Sequence, residues 1–298
     1  MYSRIATLLL AASSFAIASA HEATTPEPSA PDQIRVVSLN IRLDHRGDGE
    51  NRWSKRRATV AEYLAAESDV AGLQEVLPNQ WEHLRADLPD FDGLFRVRHA
   101  NPDARDEACP IIWRRDRFSK IDGGTYWLSE TPDQPGSQSW DSSLPRIVTW
   151  VNLRDLETDT VWHFSNLHYD HRSAQAREQS SRLIATKTAD LRGPVVVLGD
   201  FNAGIDAPPV RLLIDEHGFA DTAGLKADKL PGTFNGWRPE GPFPHIDFIL
   251  IHGPVEISSA AVAPRVRTPS GGWISDHFPV ATTLRFLPTS PPHRDRTP

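Results

Sequence analysis

Between residues 33 and 287 the chain alternates short apolar runs, rich in β-branched residues, with polar stretches carrying Gly, Pro, Asp and Asn. That is the pattern of buried strands separated by turns. Eight runs read as strands: 34–39, 70–74, 111–113, 147–153, 161–167, 195–198, 246–251 and 280–286. Three segments keep a helical spacing instead. Residues 52–67 place Trp53, Val60, Tyr63 and Leu64 on one face, 78–88 opens on a proline, and 173–191 is mostly polar with Leu183 and Ile184 as its apolar anchor. Helices intervene early and late, while strands run consecutively in the middle. This order predicts an α/β sandwich of two packed sheets rather than a strictly alternating parallel sheet.

The ends differ from this middle. In residues 1–20 Arg4 is the only charge, an apolar stretch from Ile5 to Ala18 follows, and Ala18-Ser19-Ala20 has the small-x-small form of a signal-peptidase site. A cleavable signal peptide is expected, with cleavage after Ala20 and export to the periplasm or the medium. No transmembrane segment is expected after that cleavage. Residues 21–32 have the Pro, Thr and Glu content of a linker, and 288–298 read as a disordered tail. No internal repeat or second composition boundary lies between, so one domain, 33–287, is expected, as a monomer.

With 39% hydrophobic residues in a chain of 298, a substantial core is within reach. A formal net charge of −7 lacks the basic field that long nucleic acids select. The basic run Arg52, Lys55, Arg56 and Arg57 reads as a solvated helical face. Small phosphate esters, lipid headgroups or nucleotides are therefore favoured over long nucleic acid as partners. The only cysteine, Cys109, precludes an intramolecular disulfide; followed by Pro110, Ile111 and Ile112, it reads as a core thiol.

Five polar clusters sit where the expected strands end: Asn40; Glu75; Asn166-Leu167-His168-Tyr169-Asp170-His171; Gly199-Asp200-Phe201-Asn202; and Ser275-Asp276-His277. Sheet ends combine a rigid scaffold with free loops. Singly, each cluster is as well explained by a turn or an exposed side chain. Together, Glu, Asp and Asn make an all-oxygen donor set that suits a hard ion, Mg²⁺ above all with Mn²⁺ as a substitute, and no thiolate zinc set accompanies them.

The ordered set Val36-Val37-Ser38-Leu39-Asn40, Gly72-Leu73-Gln74-Glu75-Val76, Asn166-Leu167-His168, Gly199-Asp200-Phe201-Asn202, His245-Ile246-Asp247-Phe248-Ile249 and Ser275-Asp276-His277-Phe278-Pro279-Val280 resembles the motifs of the endonuclease/exonuclease/phosphatase family. The resemblance implies a DNase I-like fold: a four-layered α/β sandwich with two mixed sheets face to face and helices outside. It implies a metal-dependent hydrolase of phosphate ester bonds. Asn40, Glu75 and Asp276 would hold the metal, and Asp200 and Asn202 would orient the attacking water. His277, oriented by Asp247, and His168 would face the phosphate. Arg146 matches a position that binds substrate phosphate, which a guanidinium suits.

Trp127-Leu128-Ser129-Glu130-Thr131-Pro132 and the segment around it resemble an uncharacterised bacterial branch of the family, secreted or cytosolic, and also its deadenylase-like members. Two departures stand out. Tyr169-Asp170-His171 follows His168 where many members have a leucine after the histidine, and Asp170 and His171 read as a hydrogen-bonded pair behind His168, with a second metal or a substrate hydroxyl as alternatives. His245 replaces a common Arg or Lys. The expected activity is Mg²⁺-dependent hydrolysis of a phosphodiester or phosphomonoester. A nuclease, or a sphingomyelinase-like lipid hydrolase using the aromatics of 232–237 and 271–273, is the alternative within the family. Outside it, the alternative is a non-catalytic secreted binding protein.

Overall fold

The computed structural model describes residues 30–224, 229–262 and 265–288. The expected signal peptide, most of the linker and the tail beyond Pro288 lie outside them. In chain order the strands are β1 (Gln33–Asn40), β2 (Val70–Gln74), β3 (Phe91–Leu94), β4 (Ile111–Arg114), β5 (Phe118–Trp127) and β6 (Ile147–Asp155). They continue as β7 (Val161–His168), β8 (Val195–Asp200), β9 (Ala220–Asp221), β10 (Asp247–His252), β11 (Val255–Val262) and β12 (Val280–Phe286). Two six-stranded sheets result, ordered β11-β12-β1-β2-β4-β3 and β5-β6-β7-β8-β10-β9. Each is mixed, with one parallel pair, β1 with β2 and β7 with β8.

Period-two alternation sorts the strand side chains into layers. Ile34 and Val36 of β1, Val196 and Leu198 of β8 and Trp162 and Phe164 of β7 meet between the sheets. On the opposite face of β1, Val37 and Leu39 pack on Trp53, Val60 and Leu64 of helix α1 (Trp53–Glu67), next to Leu84 of α2 (Pro78–Asp87). Val195 and Val197 of β8 pack outward on Ile184 of α3 (Ala174–Thr188) and Val210 of the short α4 (Pro208–Arg211). Helix, sheet, sheet and helix form the four expected layers. No helix among the described residues is long and apolar enough to cross a membrane.

The expected helix 173–191 begins at Ser173 as cap rather than first residue: its hydroxyl accepts the Ala176 N–H at 3.0 Å. The expected solvated basic face is only partly so. Arg56 is buried, donating from Nη1 to the carbonyls of Ile41 at 2.8 Å and Ile274 at 2.6 Å and from Nε to that of Asn51 at 2.6 Å. It ties α1 to the two loops that carry the site.

One polar stitch joins the sheets beneath the rim where both parallel pairs end. Gln74 Nε2 donates to Asn166 Oδ1 at 2.7 Å, and Asn166 Nδ2 donates to the carbonyls of Leu73 at 2.8 Å and Pro110 at 2.9 Å. Gly72 makes room for it, since a Cβ there would lie 2.8 Å from the Asn166 side chain and from Leu198 Cδ1. Gly72→Ala should therefore force the sheets apart locally and cost about 1–3 kcal/mol of stability, read as a lower melting temperature; a variant that melts with the parent contradicts the stitch.

Candidate active site

The Gly199-Asp200-Phe201-Asn202 motif works one residue at a time. Gly199 sits at φ 145°, and a Cβ there would approach the Leu167 carbonyl oxygen to 2.1 Å, so glycine lets β8 press on β7 where both end. Phe201 plugs the core edge-on to Tyr169 and Phe248, with ring centroids 5.1 and 5.4 Å apart. Asn202, at φ 47°, donates its backbone N–H to Asp200 Oδ1 at 2.9 Å and its Nδ2 to the Tyr169 carbonyl at 3.0 Å. Asp200 is thereby fixed at the rim.

The sandwich opens there into a cavity of about 420 Å³. One wall is acidic. Asn40, ending β1, donates from Nδ2 to Glu75 Oε1 at 3.1 Å and Asp200 Oδ2 at 3.2 Å, bridging the two sheets. Glu75, at φ 60°, also accepts the Leu43 N–H at 3.1 Å. The Ser275 hydroxyl donates to the Asn40 carbonyl at 2.6 Å, which carries Asp276 and His277 in front of β1. Arg42 leans between Glu75 and Asp276 at 3.9 and 3.8 Å, too long for hydrogen bonds, while Asp48 accepts from it twice at 3.1 Å.

The adjacent wall is a row of titratable groups. Asp247, opposite Asp200 in the β8–β10 pairing, accepts from His277 Nδ1 at 2.9 Å. His277 Nε2 and His168 Nε2 lie 3.8 and 3.5 Å from Asp200 Oδ2. Burial opposes charge on His277, but Asp247, by proximity and hydrogen bond, outweighs it together with Asp200 and Asp276 and raises the imidazole to about 10. Burial, then Asp247, pushes Asp200 up to about 7. His168 is held well below its ordinary value by burial and by Arg146 and Arg98. One histidine is thus cationic and the other neutral at neutral pH.

Two groups of side chains could hold a metal. Ligand-type atoms of Asp200, Asp247 and His277 lie within 4.8 Å of one another. Yet His277 Nδ1 is committed to Asp247, and a protonated imidazole is no ligand. Glu75 and Asp276 face the cavity with carboxylate oxygens that keep unused lone pairs and are approached only loosely by Arg42. Their oxygen chemistry, with Asn40 beside them, fits a hard divalent ion.

The remaining wall holds Arg146, His171, Leu144 and Glu107. Arg146 is buried, which lowers its pKa; its Nε has no hydrogen-bond partner, and its Nη2 lies 3.2 Å from His171 Nδ1. The expected pair between Asp170 and His171 is not formed. Asp170 accepts instead from Ser143 N and Oγ at 2.9 and 2.5 Å, Arg172 N at 2.9 Å and Ser173 N at 2.7 Å, so it anchors the start of α3. Burial works against the Asp170 carboxylate, but these donors hold it below the usual carboxylate range. His171 turns to Arg146. His245 donates from Nδ1 to the Pro231 carbonyl, 2.7 Å away. Cys109 lies in the core against Trp127 and Ile147.

Every other expected site residue reaches this rim. Phe234, one of the aromatics of 232–237 singled out in the sequence, lines the cavity, its ring 4.9 Å from that of His277. Sequence reasoning missed Arg42 and Glu107. Arg42 offered a signal, standing two residues beyond Asn40. Asp247→Asn should lower the His277 pKa by removing its main charge partner, so that in EDTA its imidazole resonances titrate at lower pH than in the parent; an unchanged titration contradicts the pairing.

The scan of family models matches residues 37–277 to the endonuclease/exonuclease/phosphatase family. Among solved structures, an endonuclease/exonuclease/phosphatase from Bacteroides vulgatus is 31% identical, with a TM-score of 0.79, covering 86% of this chain and 99% of that one. A mannosyl-6-phosphatase of Bacteroides thetaiotaomicron is 28% identical, with a TM-score of 0.76 and coverage of 85% and 100%. The human Nocturnin catalytic domain, at 20% identity and a TM-score of 0.68 with coverage of 86% and 94%, shares the fold. No functionally curated protein matches the sequence. With the motifs gathered at one rim and the match running from β1 to His277, the chain belongs to the endonuclease/exonuclease/phosphatase family and is a metal-dependent hydrolase of phosphate ester bonds.

Proposed function

We propose that the protein is a secreted, Mg²⁺-dependent phosphoesterase that hydrolyses a phosphodiester or phosphomonoester by attack of water, with small soluble monoesters the better fit. The observation that carries this reading is His277, fixed by Asp247 and turned toward Asp200 across one cavity from Glu75, Asp276 and Arg146. Mg²⁺ held by Glu75, with Asn40 and Asp276 around it, would supply positive charge to the phosphoryl oxygens. Asp200, raised toward neutrality and braced by Asn40 and Asn202, orients the water and takes its proton, which is passed to the departing alcohol oxygen as its bond to phosphorus breaks. The His277 cation donates from Nε2 to the phosphoryl group, neutral His168 makes a second contact, and the Arg146 guanidinium, which lines the same cavity, a third.

Three observations favour a small monoester. The cavity is of modest size, the chain is acidic, and a mannosyl-6-phosphatase is among its similar structures. The aromatics that a lipid hydrolase would insert into a membrane are engaged internally. Trp273 is buried and donates from Nε1 to the Arg238 carbonyl at 3.0 Å, and the Trp237 ring lies 5.1 Å from the Arg56 guanidinium.

Assays with p-nitrophenyl phosphate and bis-p-nitrophenyl phosphate, with Mg²⁺ and with EDTA, test the reading. Turnover should require the ion and fall roughly 10²–10⁴-fold in Asp200→Ala and in His277→Ala; turnover indifferent to EDTA, or to both substitutions, overturns it. Glu75→Gln keeps the side-chain volume but removes the anionic donor, so the Mg²⁺ concentration for half-maximal activity should rise by about tenfold or more. An unchanged Mg²⁺ titration places the ion elsewhere. Export predicts that mass spectrometry of the secreted protein finds His21 as its first residue, whereas Met1 retained on it contradicts cleavage.

A further inference from the structure

We propose that Glu107 is a specificity-determining residue that reads hydroxyl groups on the alcohol portion of the substrate, so that the enzyme selects singly phosphorylated polyhydroxy compounds and rejects those bearing a second phosphate. This rests on the phosphoesterase reading above and adds to it the class of leaving group.

Glu107 stands on the wall of the catalytic cavity, but no step assigned to Asp200, His277 or the metal residues uses it. Its carboxylate is immobile. Arg98 Nη1 and Nη2 each donate to one of its oxygens at 3.0 Å, and Arg98 is itself fixed by Asp106 at 3.0 Å and by the Trp127 indole, which donates to the Arg98 carbonyl at 2.6 Å. The Glu107 side chain is 16% exposed, and it is among the residues lining the cavity. A buried carboxylate near other carboxylates is costly unless it is matched, and Arg98 matches it from behind. Each oxygen, having accepted one hydrogen bond from Arg98, retains a lone pair for another donor. A carboxylate can only accept, so the group that completes it is an N–H or O–H donor, and on a phosphorylated alcohol two neighbouring hydroxyls fit its two oxygens.

Charge sharpens the selection. Two guanidinium groups line the cavity. Arg42 is hydrogen-bonded to Asp48, whereas Arg146 donates to no carboxylate among the described residues, its Nε standing 4.0 Å from Asp170. One anionic group of the substrate can therefore be met by a guanidinium that has no carboxylate hydrogen bond. A second phosphate on the alcohol side would face the Glu107 carboxylate with no such partner, and like-charge contact in a partly buried cavity disfavours it. A hexose monophosphate satisfies both features. A dinucleotide or a bisphosphate does not.

The test uses the intact protein with Mg²⁺ and compares kcat/KM for glucose 6-phosphate and mannose 6-phosphate with n-hexyl phosphate, which has the same carbon count without hydroxyls, and with glucose 1,6-bisphosphate. At least one hexose 6-phosphate should exceed n-hexyl phosphate by about tenfold or more, and the bisphosphate should be the poorer substrate. In Glu107→Gln the hexose-to-hexyl ratio should shrink by about tenfold, mainly through KM, and the ratio of bisphosphate to monophosphate turnover should rise. The comparison of substrates in the parent stands even if the variant folds poorly. Parent enzyme that accepts n-hexyl phosphate as well as both sugar phosphates overturns the inference, as does a well-folded Glu107→Gln that slows every ester by one common factor. If neither p-nitrophenyl phosphate nor either hexose 6-phosphate is hydrolysed with Mg²⁺, the phosphoesterase reading fails first and the inference falls with it.

Discussion

The crowding of buried carboxylates at one rim is the constraint on which the rest of the structure depends. Asp200, Asp247 and Asp276 are nearly inaccessible, Glu75 and Glu107 are close by, and an apolar sandwich lies beneath them. Each needs compensation, because an unmatched charge in such surroundings costs several kcal/mol, roughly. The protein supplies it in three ways: a proton on His277 between Asp247 and Asp200, guanidinium groups behind Glu107 and Asp276, and N–H donors from Asn40, Leu43 and Asn202. The acidic pair Glu75 and Asp276 is compensated least, since Arg42 reaches them only at 3.9 and 3.8 Å. On the proposed reading a divalent ion would complete that balance, and its charge would offset the repulsion that these carboxylates exert on a phosphate.

The scaffold explains why the charges stay in register. Parallel pairs β1–β2 and β7–β8 end together, so four strand-end residues, Asn40, Glu75, His168 and Asp200, arrive at one edge from two sheets. The antiparallel partners add Asp247 from the start of β10 and His277 from just before β12. The Gln74–Asn166 stitch locks the separation of the sheets, Gly199 their local approach, and Arg56 the loops behind them. Catalytic geometry here is a property of two sheets held at a fixed spacing.

Much of this was legible in the sequence, and what was not has a common cause. The eight expected strands are the interior strands of both sheets, which bury most of their side chains and so keep apolar runs, alternating with polar residues in β6 and β12. The four that went unread, β3, β5, β9 and β11, are the four edges. β5 contains Asp122-Gly123-Gly124 and is largely exposed through its first half, and β9 is two residues long. Edges carry the polar and irregular sequence that discourages further pairing, and so they lose the signal that marks a strand. The site divides in the same way. Motif residues whose role is local, such as Asn202 in its turn, are visible as text. Glu107 and Arg42 acquire meaning only from Arg98 and Asp48, and the expected Asp170–His171 pair failed because Ser143, distant in sequence, supplies the donors that Asp170 prefers.

The central claim is that a divalent ion and the phosphate share one cavity, with the ion at the acidic wall and the Asp247–His277 pair kept separate. It is tested most directly by crystals grown with Mn²⁺ and phosphate, with anomalous scattering locating the metal. An ion bonded to Glu75 beside Asp276, with phosphate between it and the His277–Arg146 side, is the predicted result. An ion ligated by Asp200, Asp247 and His277, breaking the 2.9 Å Asp247–His277 hydrogen bond, would contradict the account.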